Sequence, residues 1–156
     1  MTPRQKLIAS IGASAAAIVT AFVAQHEGLR QWAYRDPVGV LTACYGHTGP
    51  DVQPGQTYTR EQCRALLEQD LARHAQALAC IRRPLTDGQK AAFVSFAYNV
   101  GPQAFCGSSL VRKANAGDMA GACAELDKWV YAKGQRLPGL VKRRAAERAM
   151  CEGGAP

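Results

Sequence analysis

Residues 26–47 read HEGLRQWAYRDPVGVLTACYGH. This stretch holds two carboxylates nine positions apart, Glu27 and Asp36, and Thr42 follows six positions after Asp36. Paired carboxylates on different structural elements can face each other across a cleft. Cleavage of a glycosidic bond needs such a pair, because one carboxyl group protonates the leaving oxygen while the other stays ionised to activate water or to stabilise positive charge on the sugar.

The same stretch changes from a helical to a hairpin-like pattern. We predict a short helix over residues 26–32, which would carry the first of the two acids. Residues 36–39, Asp-Pro-Val-Gly, then have Asp, Pro and Gly at positions that favour a type I turn. Residues 40–42 return as a strand, so Asp36 and Thr42 are expected on the two arms of a hairpin.

A family resemblance rests on these residues. Glu27, Asp36 and Thr42, followed by Gly46-His47, resemble the catalytic signature of phage lysozymes of the T4 type. Further segments that read like this family are 46–51, 98–101 and 139–144. Over about residues 25–152 the chain is most similar to the membrane-anchored signal-anchor-release (SAR) endolysins of lambdoid phages, the phage 21 type.

The resemblance implies both a fold and an activity. The fold would be mainly α (α+β) and lysozyme-like, with a small β-hairpin lobe and a helical lobe, preceded by an N-terminal apolar helix. The protein would be a phage or prophage endolysin that hydrolyses β-1,4 bonds between N-acetylmuramic acid and N-acetylglucosamine in bacterial peptidoglycan and lyses the host cell. No cofactor is expected, and no His or Cys cluster has the spacing of a metal site.

The resemblance also assigns catalytic roles. Glu27 would be the general acid, and Asp36 and Thr42 would position and activate the attacking water. A place for Glu27 near a helix start, under Trp32 or Tyr34, would disfavour its charged form and keep a proton on it near neutral pH. The alternatives are a surface glutamate, a turn-capping aspartate and an ordinary strand threonine.

Four further residues receive expected roles. Tyr98 and Ser109 align with positions that line the sugar cleft of the family, although Tyr98 would fit the core equally well. Asp70 falls on the apolar stripe of its helix, and a buried aspartate needs a partner. The resemblance supplies His47 as that partner in an ion pair; the alternative is a solvated Asp70 at the edge of the stripe.

The rest of the chain is predicted to be mainly helical, with one small β element. Capping boxes at Thr59 and Thr86 open helices that run to about residue 79 and to Gly101. Asp118 caps another helix. A last helix over residues 138–150 is expected to present a basic surface, formed by Lys142, Arg143, Arg144 and Arg148.

Length and charge limit the possible partners. The 156 residues indicate one catalytic domain, over residues 25–156, and we expect a monomer. The net charge of +7 suggests a polyanionic partner such as anionic lipid or cell wall, although solubility alone could explain it. Nucleic acid is the weakest candidate, because no motif for binding it is present.

The N-terminal segment, residues 1–24, contains an uncharged apolar run over 7–24 that follows Arg4 and Lys6. As a helix this run spans roughly 27 Å, just short of a bilayer core of about 30 Å. Three interpretations remain open: a cleaved signal, a permanent anchor, or a signal-anchor-release helix. The third, implied by the resemblance, would tether the enzyme to the host inner membrane facing the periplasm and then release it into the periplasm.

Six cysteines in an exported chain suggest disulfides, and six cysteines allow 15 pairings. Cys80 and Cys106 flank one helix and its loop, which favours that pair. Buried free thiols are the alternative. Residues 1–24 contain no cysteine, so a thiol exchange between the anchor and the active site is not available to this chain.

Two other functions compete with hydrolysis. A lytic transglycosylase needs one catalytic acid and leaves an anhydro-sugar end, and the presence of Asp36 and Thr42 argues against it. A non-enzymatic cationic protein that acts on the wall or the membrane would use the basic last helix and the N-terminal apolar run.

Overall fold

The computed structural model describes residues 1–156, and the chain is mainly helical. Its α-helices are α1 (Pro3–Ile11), α2 (Ala13–Glu27), α3 (Arg60–Ala75), α4 (Asp87–Val100), α5 (Pro102–Cys106), α6 (Ser109–Asn115), α7 (Met119–Glu125) and α8 (Pro138–Cys151). Its strands are β1 (Arg30–Arg35), β2 (Leu41–Cys44), β3 (His47–Thr48), β4 (Tyr131–Ala132) and β5 (Gln135–Arg136). Two 3₁₀ helices, Gln76–Cys80 and Leu126–Lys128, extend α3 and α7. The predicted mainly α fold with a small β lobe is confirmed.

The N-terminal apolar run forms two helices instead of one. Gly12 separates α1 from α2 with a φ of 89°, and the two helices are bent by 118°. Residues with a Cβ rarely adopt such a φ, so Gly12 permits the bend. Lys90 Nζ lies 3.5 Å from the Ile11 carbonyl oxygen at the end of α1. Neither helix alone has the length and apolar content to cross a membrane, whereas the bent pair passes that test by length and composition.

The bent helix pair packs into the main hydrophobic core. This core contains 26 buried residues, and Phe93 and Phe96 of α4 are fully buried in it. The pair contributes Leu7, Ile11, Ala15, Ala16, Val19, Phe22 and Val23. In this conformation, therefore, residues 1–24 supply part of the core on which the remaining chain folds.

A three-stranded antiparallel sheet forms the β lobe in the order β1-β2-β3, with Tyr34 opposite Thr42. The turn between β1 and β2 is closed by a hydrogen bond of 2.9 Å from the Gly39 N–H to the Asp36 carbonyl oxygen, as the Asp-Pro-Val-Gly sequence predicts. A second hairpin, β4–β5, precedes α8 and was not predicted. Its strands are two residues each, too short for an alternating hydrophobic pattern.

The predicted helix starts are confirmed. Thr59 and Thr86 form complete capping boxes at α3 and α4, and Asp118 accepts a hydrogen bond from the Gly121 N–H at α7. Gly101, with a φ of 95°, ends α4. These signals act within one helical turn, which is why the sequence alone reveals them.

The basic surface predicted on α8 is wrong for two of its residues. Arg143 and Arg144 are only 5% and 0% exposed. Both pair with Glu147, which is itself fully buried, and Arg143 also pairs with Glu27, so two carboxylates compensate the two charges inside the protein. Arg148 is partly exposed but pairs with Asp127 and with Glu152.

All six cysteines form disulfides. The pairs are Cys44–Cys63, Cys80–Cys106 and Cys123–Cys151. The pair favoured from the sequence, Cys80 with Cys106, is among them, with Cα atoms 5.8 Å apart. Cys44–Cys63 ties β2 to α3 and thereby fixes the β lobe to the helical part of the chain.

Candidate active site

Glu27 is the last residue of α2. Gly28 follows with a φ of 75° and donates its N–H to the Ala24 carbonyl oxygen, which ends the helix. The helix predicted over residues 26–32 is therefore wrong, because residues 30–35 form β1. Glu27 lies at a helix end and not near a helix start, at the point where the N-terminal pair joins the sheet.

The carboxylate of Glu27 is held by a buried arginine. Arg143 Nη1 donates to Glu27 Oε1 at 2.6 Å, and the Glu27 side chain is 22% exposed. Arg143 is fixed in turn by Glu147 at 3.4 Å and by the backbone oxygen of Ser95 at 3.3 Å. Trp32, one of the two residues expected to cover the acid, is 54% exposed. The neighbour that orients the acid is Arg143.

The second oxygen of Glu27 faces the turn that follows β2. A Cβ added at Gly46 would lie 3.0 Å from Glu27 Oε2 and 3.9 Å from the Tyr98 hydroxyl. Gly46 also has a φ of 78°, so both space and backbone conformation require glycine here. The Tyr98 hydroxyl donates to the Tyr45 carbonyl oxygen at 2.8 Å. Burial, followed by the nearby Glu27 carboxylate, raises the pKa of Tyr98, so this donor stays protonated.

Asp36 and Thr42 lie on the two arms of the β1–β2 hairpin. Asp36 Oδ1 accepts hydrogen bonds from the N–H groups of Val38 and Val40 at 3.0 and 2.8 Å, while Oδ2 makes no hydrogen bond within the chain. Thr42 is buried, and its hydroxyl donates to the Val40 carbonyl oxygen at 3.0 Å. No hydrogen bond joins either residue to Glu27. The turn therefore holds both side chains in place and leaves one carboxylate oxygen of Asp36 free.

The structure brings His47 and Asp70 together. His47 is 3% exposed, and its Nδ1 lies 2.7 Å from Asp70 Oδ2. Its Nε2 lies 3.0 Å from Asp51 Oδ2, a contact that was not anticipated. The hydrogen bond to Asp70 raises the pKa of His47 above its ordinary value. This cluster ties β3 to α3 directly behind the turn that carries Gly46.

We expect His47→Asn to lower the free energy of unfolding by roughly 3 kcal/mol at pH 6, because Asp70 loses its buried cationic partner. Because the pKa of His47 is higher in the folded chain than in the unfolded chain, protonation of His47 stabilises the folded state. This stabilisation is fully present below the pKa of about 6.5 that His47 has in the unfolded chain. It is lost as the pH rises through the folded pKa. Urea unfolding between pH 6 and 9 should therefore show a shrinking difference between wild type and variant.

His26→Asn is the control for this pH series. Burial, followed by the nearby Arg143 charge, lowers the pKa of His26, so the contribution of this residue to stability rises with pH only up to about its unfolded pKa of 6.5. Above about pH 7, the difference between wild type and His26→Asn should therefore stay nearly constant. A difference between wild type and His47→Asn that stays constant or grows from pH 6 to 9 would contradict the assigned direction.

Of the two residues expected to bind substrate, Tyr98 lies beside Glu27, and Ser109 has no hydrogen bond to that region. Tyr98 lies against Gly46 beside Glu27, as described above. Ser109 is the first residue of α6, and its hydroxyl accepts a hydrogen bond from Arg112 at 2.7 Å. No hydrogen bond connects Ser109 to the residues around Glu27.

Arg143 and Glu147 are site residues that the sequence analysis missed. They are four positions apart on α8, and the buried Met150 and Cys151 continue the same spacing. An arginine and a glutamate at helical spacing on the apolar side are the signal that could have identified an internal ion pair.

Known proteins are similar to this chain in sequence and in fold. Residues 24–147 match the phage lysozyme family. The SAR-endolysins of bacteriophage PS119 and Enterobacteria phage P21 are 43% and 41% identical over 155 residues, covering 95% of this chain and 93% and 94% of those proteins. The solved muramidase domain of SpmX from Asticaccaulis excentricus is 35% identical, with a TM-score of 0.79 over 85% of this chain and 93% of that one. The chain therefore belongs to the phage lysozyme family.

Proposed function

We propose that Glu27 is the general acid of this endolysin and that Asp36 and Thr42 hold the attacking water. The chain is a lysozyme-type glycosidase that acts on bacterial peptidoglycan, as its family membership and its relatives establish. One observation carries the assignment of the acid. Arg143 engages only Oε1 of Glu27, so Oε2, beside Gly46, remains free to transfer a proton.

In the proposed reaction, Glu27 protonates the glycosidic oxygen while the bond from that oxygen to C1 of the muramic sugar breaks. Water attacks C1 from the opposite face and gives a proton to Asp36, whose Oδ2 is free to accept it. The Thr42 hydroxyl donates to the Val40 carbonyl oxygen, so its own oxygen can accept a hydrogen bond from this water. Direct attack by water inverts the configuration at C1. All three residues belong to one chain, and we infer that a monomer suffices.

The experiment that tests this function is product analysis after digestion of isolated peptidoglycan with the full-length chain. We expect new reducing N-acetylmuramic ends that appear first as the α-anomer, which NMR detects before mutarotation. Anhydro-muramic ends would instead show a lytic transglycosylase, and an initial β-anomer would exclude direct attack by water. Absence of new sugar ends would favour a cationic, non-enzymatic action.

We further propose that residues 1–24 first tether the enzyme to the host inner membrane and later leave it. The relatives named as SAR-endolysins support this, and so does the composition of the bent pair. An alanine-rich helix has a small insertion free energy, which makes escape from the bilayer possible. The packed helix pair would then represent the released, periplasmic form, in which residues 1–24 complete the core of the catalytic domain formed by residues 25–156.

The release step makes a prediction in cells. Replacing the exposed Ala13, Ala17 and Ala21 by leucine should strengthen insertion without filling the core, and should delay or block lysis, with the protein retained in the membrane fraction. Lysis on the wild-type schedule, with the same distribution between membrane and soluble fractions, would exclude a tether that must escape.

A further inference from the structure

A small polar pocket lies beside Glu27. Its volume is about 160 Å³, and it is lined by Gly46, Thr48, Asp70, Arg73, His74 and Tyr98. Gly46 lines the pocket, and a Cβ added to it would lie 3.0 Å from Glu27 Oε2, so Gly46 lies between the pocket and the proposed acid. A chemical group in this pocket would therefore lie next to the bond being cleaved.

Arg73 supplies an available positive charge to this pocket. Its Nη2 lies 3.3 Å from Asp70 Oδ1, and its side chain is 59% exposed, so its other nitrogens remain free to donate. The second oxygen of Asp70 is engaged by His47 at 2.7 Å. Because His47 shares the charge of Asp70, Arg73 retains the capacity to bind an anion.

His74 supplies an acceptor beside that charge. Its Nδ1 donates to the Asp70 carbonyl oxygen at 2.7 Å, which fixes the tautomer of the neutral ring. The ring also packs against Tyr98 at a centroid distance of 5.1 Å. Its Nε2 makes no hydrogen bond within the chain, so in the neutral ring it can accept from an N–H group. The pocket thus offers a cation and an acceptor, which together match a carboxylate close to an amide.

The substrate carries such groups at the right place. Each N-acetylmuramic unit bears a lactyl group that either ends in a carboxylate or continues through an amide into a peptide with carboxylates of its own. The bond cleaved is at C1 of this sugar, so the substituent always flanks the reacting bond. A volume of about 160 Å³ is sufficient for the end of such a substituent.

We propose that this pocket binds the acidic substituent of the muramic sugar, with the carboxylate on Arg73 and an amide N–H on His74. The inference rests on the proposed function and adds two specificity-determining residues to it. Binding here would favour muramic sugars over unsubstituted N-acetylglucosamine next to the cleaved bond.

The test compares the full-length wild type with Arg73→Gln on soluble glycan strands. One batch keeps its carboxylates, and in the other they are converted to neutral amides with carbodiimide and ammonia. On intact strands, Arg73→Gln should lower kcat/KM about tenfold, mainly through KM, because it removes a charge-assisted contact. On amidated strands, both proteins should show the same reduced kcat/KM.

Two further variants separate the pocket from general effects. Arg60→Gln removes the same charge from an exposed position on α3 outside the pocket and should leave kcat/KM unchanged. His74→Phe keeps an aromatic ring beside Tyr98 but removes both ring nitrogens, the Nδ1 donor to the Asp70 carbonyl oxygen as well as the free Nε2, and should raise KM a few-fold on intact strands. Melting curves confirm that the variants are folded.

The outcomes are distinct. An Arg73→Gln effect that persists on strands stripped of peptide by an amidase assigns the lactyl carboxylate, whereas an effect seen only on peptide-bearing strands assigns the peptide carboxylate. Equal kcat/KM for wild type and Arg73→Gln on intact strands would overturn the proposal, while the glycosidase function stands. So would a loss caused by Arg73→Gln that is as large on amidated strands as on intact strands. If the wild type cuts neither batch, the proposed function fails and the pocket assignment fails with it.

Discussion

Glu27→Gln is expected to lower the rate of peptidoglycan hydrolysis by roughly 10²–10⁴-fold, which is the typical contribution of a positioned general acid. Glutamine has the size of glutamate, and its amide oxygen can still accept the hydrogen bond from Arg143. Arg143 also keeps its contacts with Glu147 and Ser95. The variant therefore loses the transferable proton with little change in structure. The release of reducing ends from isolated peptidoglycan measures the effect.

Glu61→Gln is the matched control, because it makes the same chemical change in the exposed first turn of α3. It should retain the wild-type rate. Retention of more than about a tenth of the activity by Glu27→Gln would remove Glu27 from the role of general acid. A parallel melting curve shows whether lost activity reflects chemistry or unfolding.

Deletion of residues 1–24 is expected to abolish cooperative folding and, with it, activity. Five of the larger core side chains would be lost: Leu7, Ile11, Val19, Phe22 and Val23. At about 1.5–3 kcal/mol each, they contribute roughly 10 kcal/mol of burial. A whole domain is stable by only about 5–15 kcal/mol, so the remaining chain would not hold its structure. Thermal unfolding followed by circular dichroism, together with sugar-end release, measures the result.

Deletion of Ala155 and Pro156, which are exposed and make no hydrogen bond within the chain, provides the control and should leave melting and activity unchanged. A chain that lacks residues 1–24 but melts cooperatively and cuts peptidoglycan at the wild-type rate would show that the N-terminal pair is dispensable. It would also show that Glu27, the last residue of α2 in this structure, can be positioned without the rest of that helix.

Local signals account for the elements that were predicted well. The capping boxes at Thr59 and Thr86 and the Asp36 turn each involve hydrogen bonds between residues at most four positions apart. Such interactions form wherever the local sequence permits them, so a single chain segment is sufficient to identify them. The starts of α3 and α4 followed directly, whereas α3 ends at Ala75 and the last positions predicted for it form the 3₁₀ helix Gln76–Cys80.

The incorrect helix over residues 26–32 has an equally physical cause. Setting the run 7–24 apart as a membrane segment concealed that α2 continues to Glu27 and ends at Gly28. Arg143 and Arg144 of α8 were wrongly predicted to be exposed, and the cause is again a tertiary contact. A helical arginine is normally exposed, and Arg143 is buried only because Glu27 and Glu147 surround it.

The sequence by itself determined the family, the pair of carboxylates, the helix caps and the even number of cysteines, because each depends on residue identity at short spacing. Only the tertiary structure decided what surrounds the acid. Arg143 reaches Glu27 across 116 positions, and Ser95 meets Glu147 across 52. The packing of the N-terminal pair and the pocket beside Gly46 likewise depend on contacts between distant segments. Such contacts form only when the hydrophobic core brings those segments together, and no local pattern specifies which charged groups will then meet.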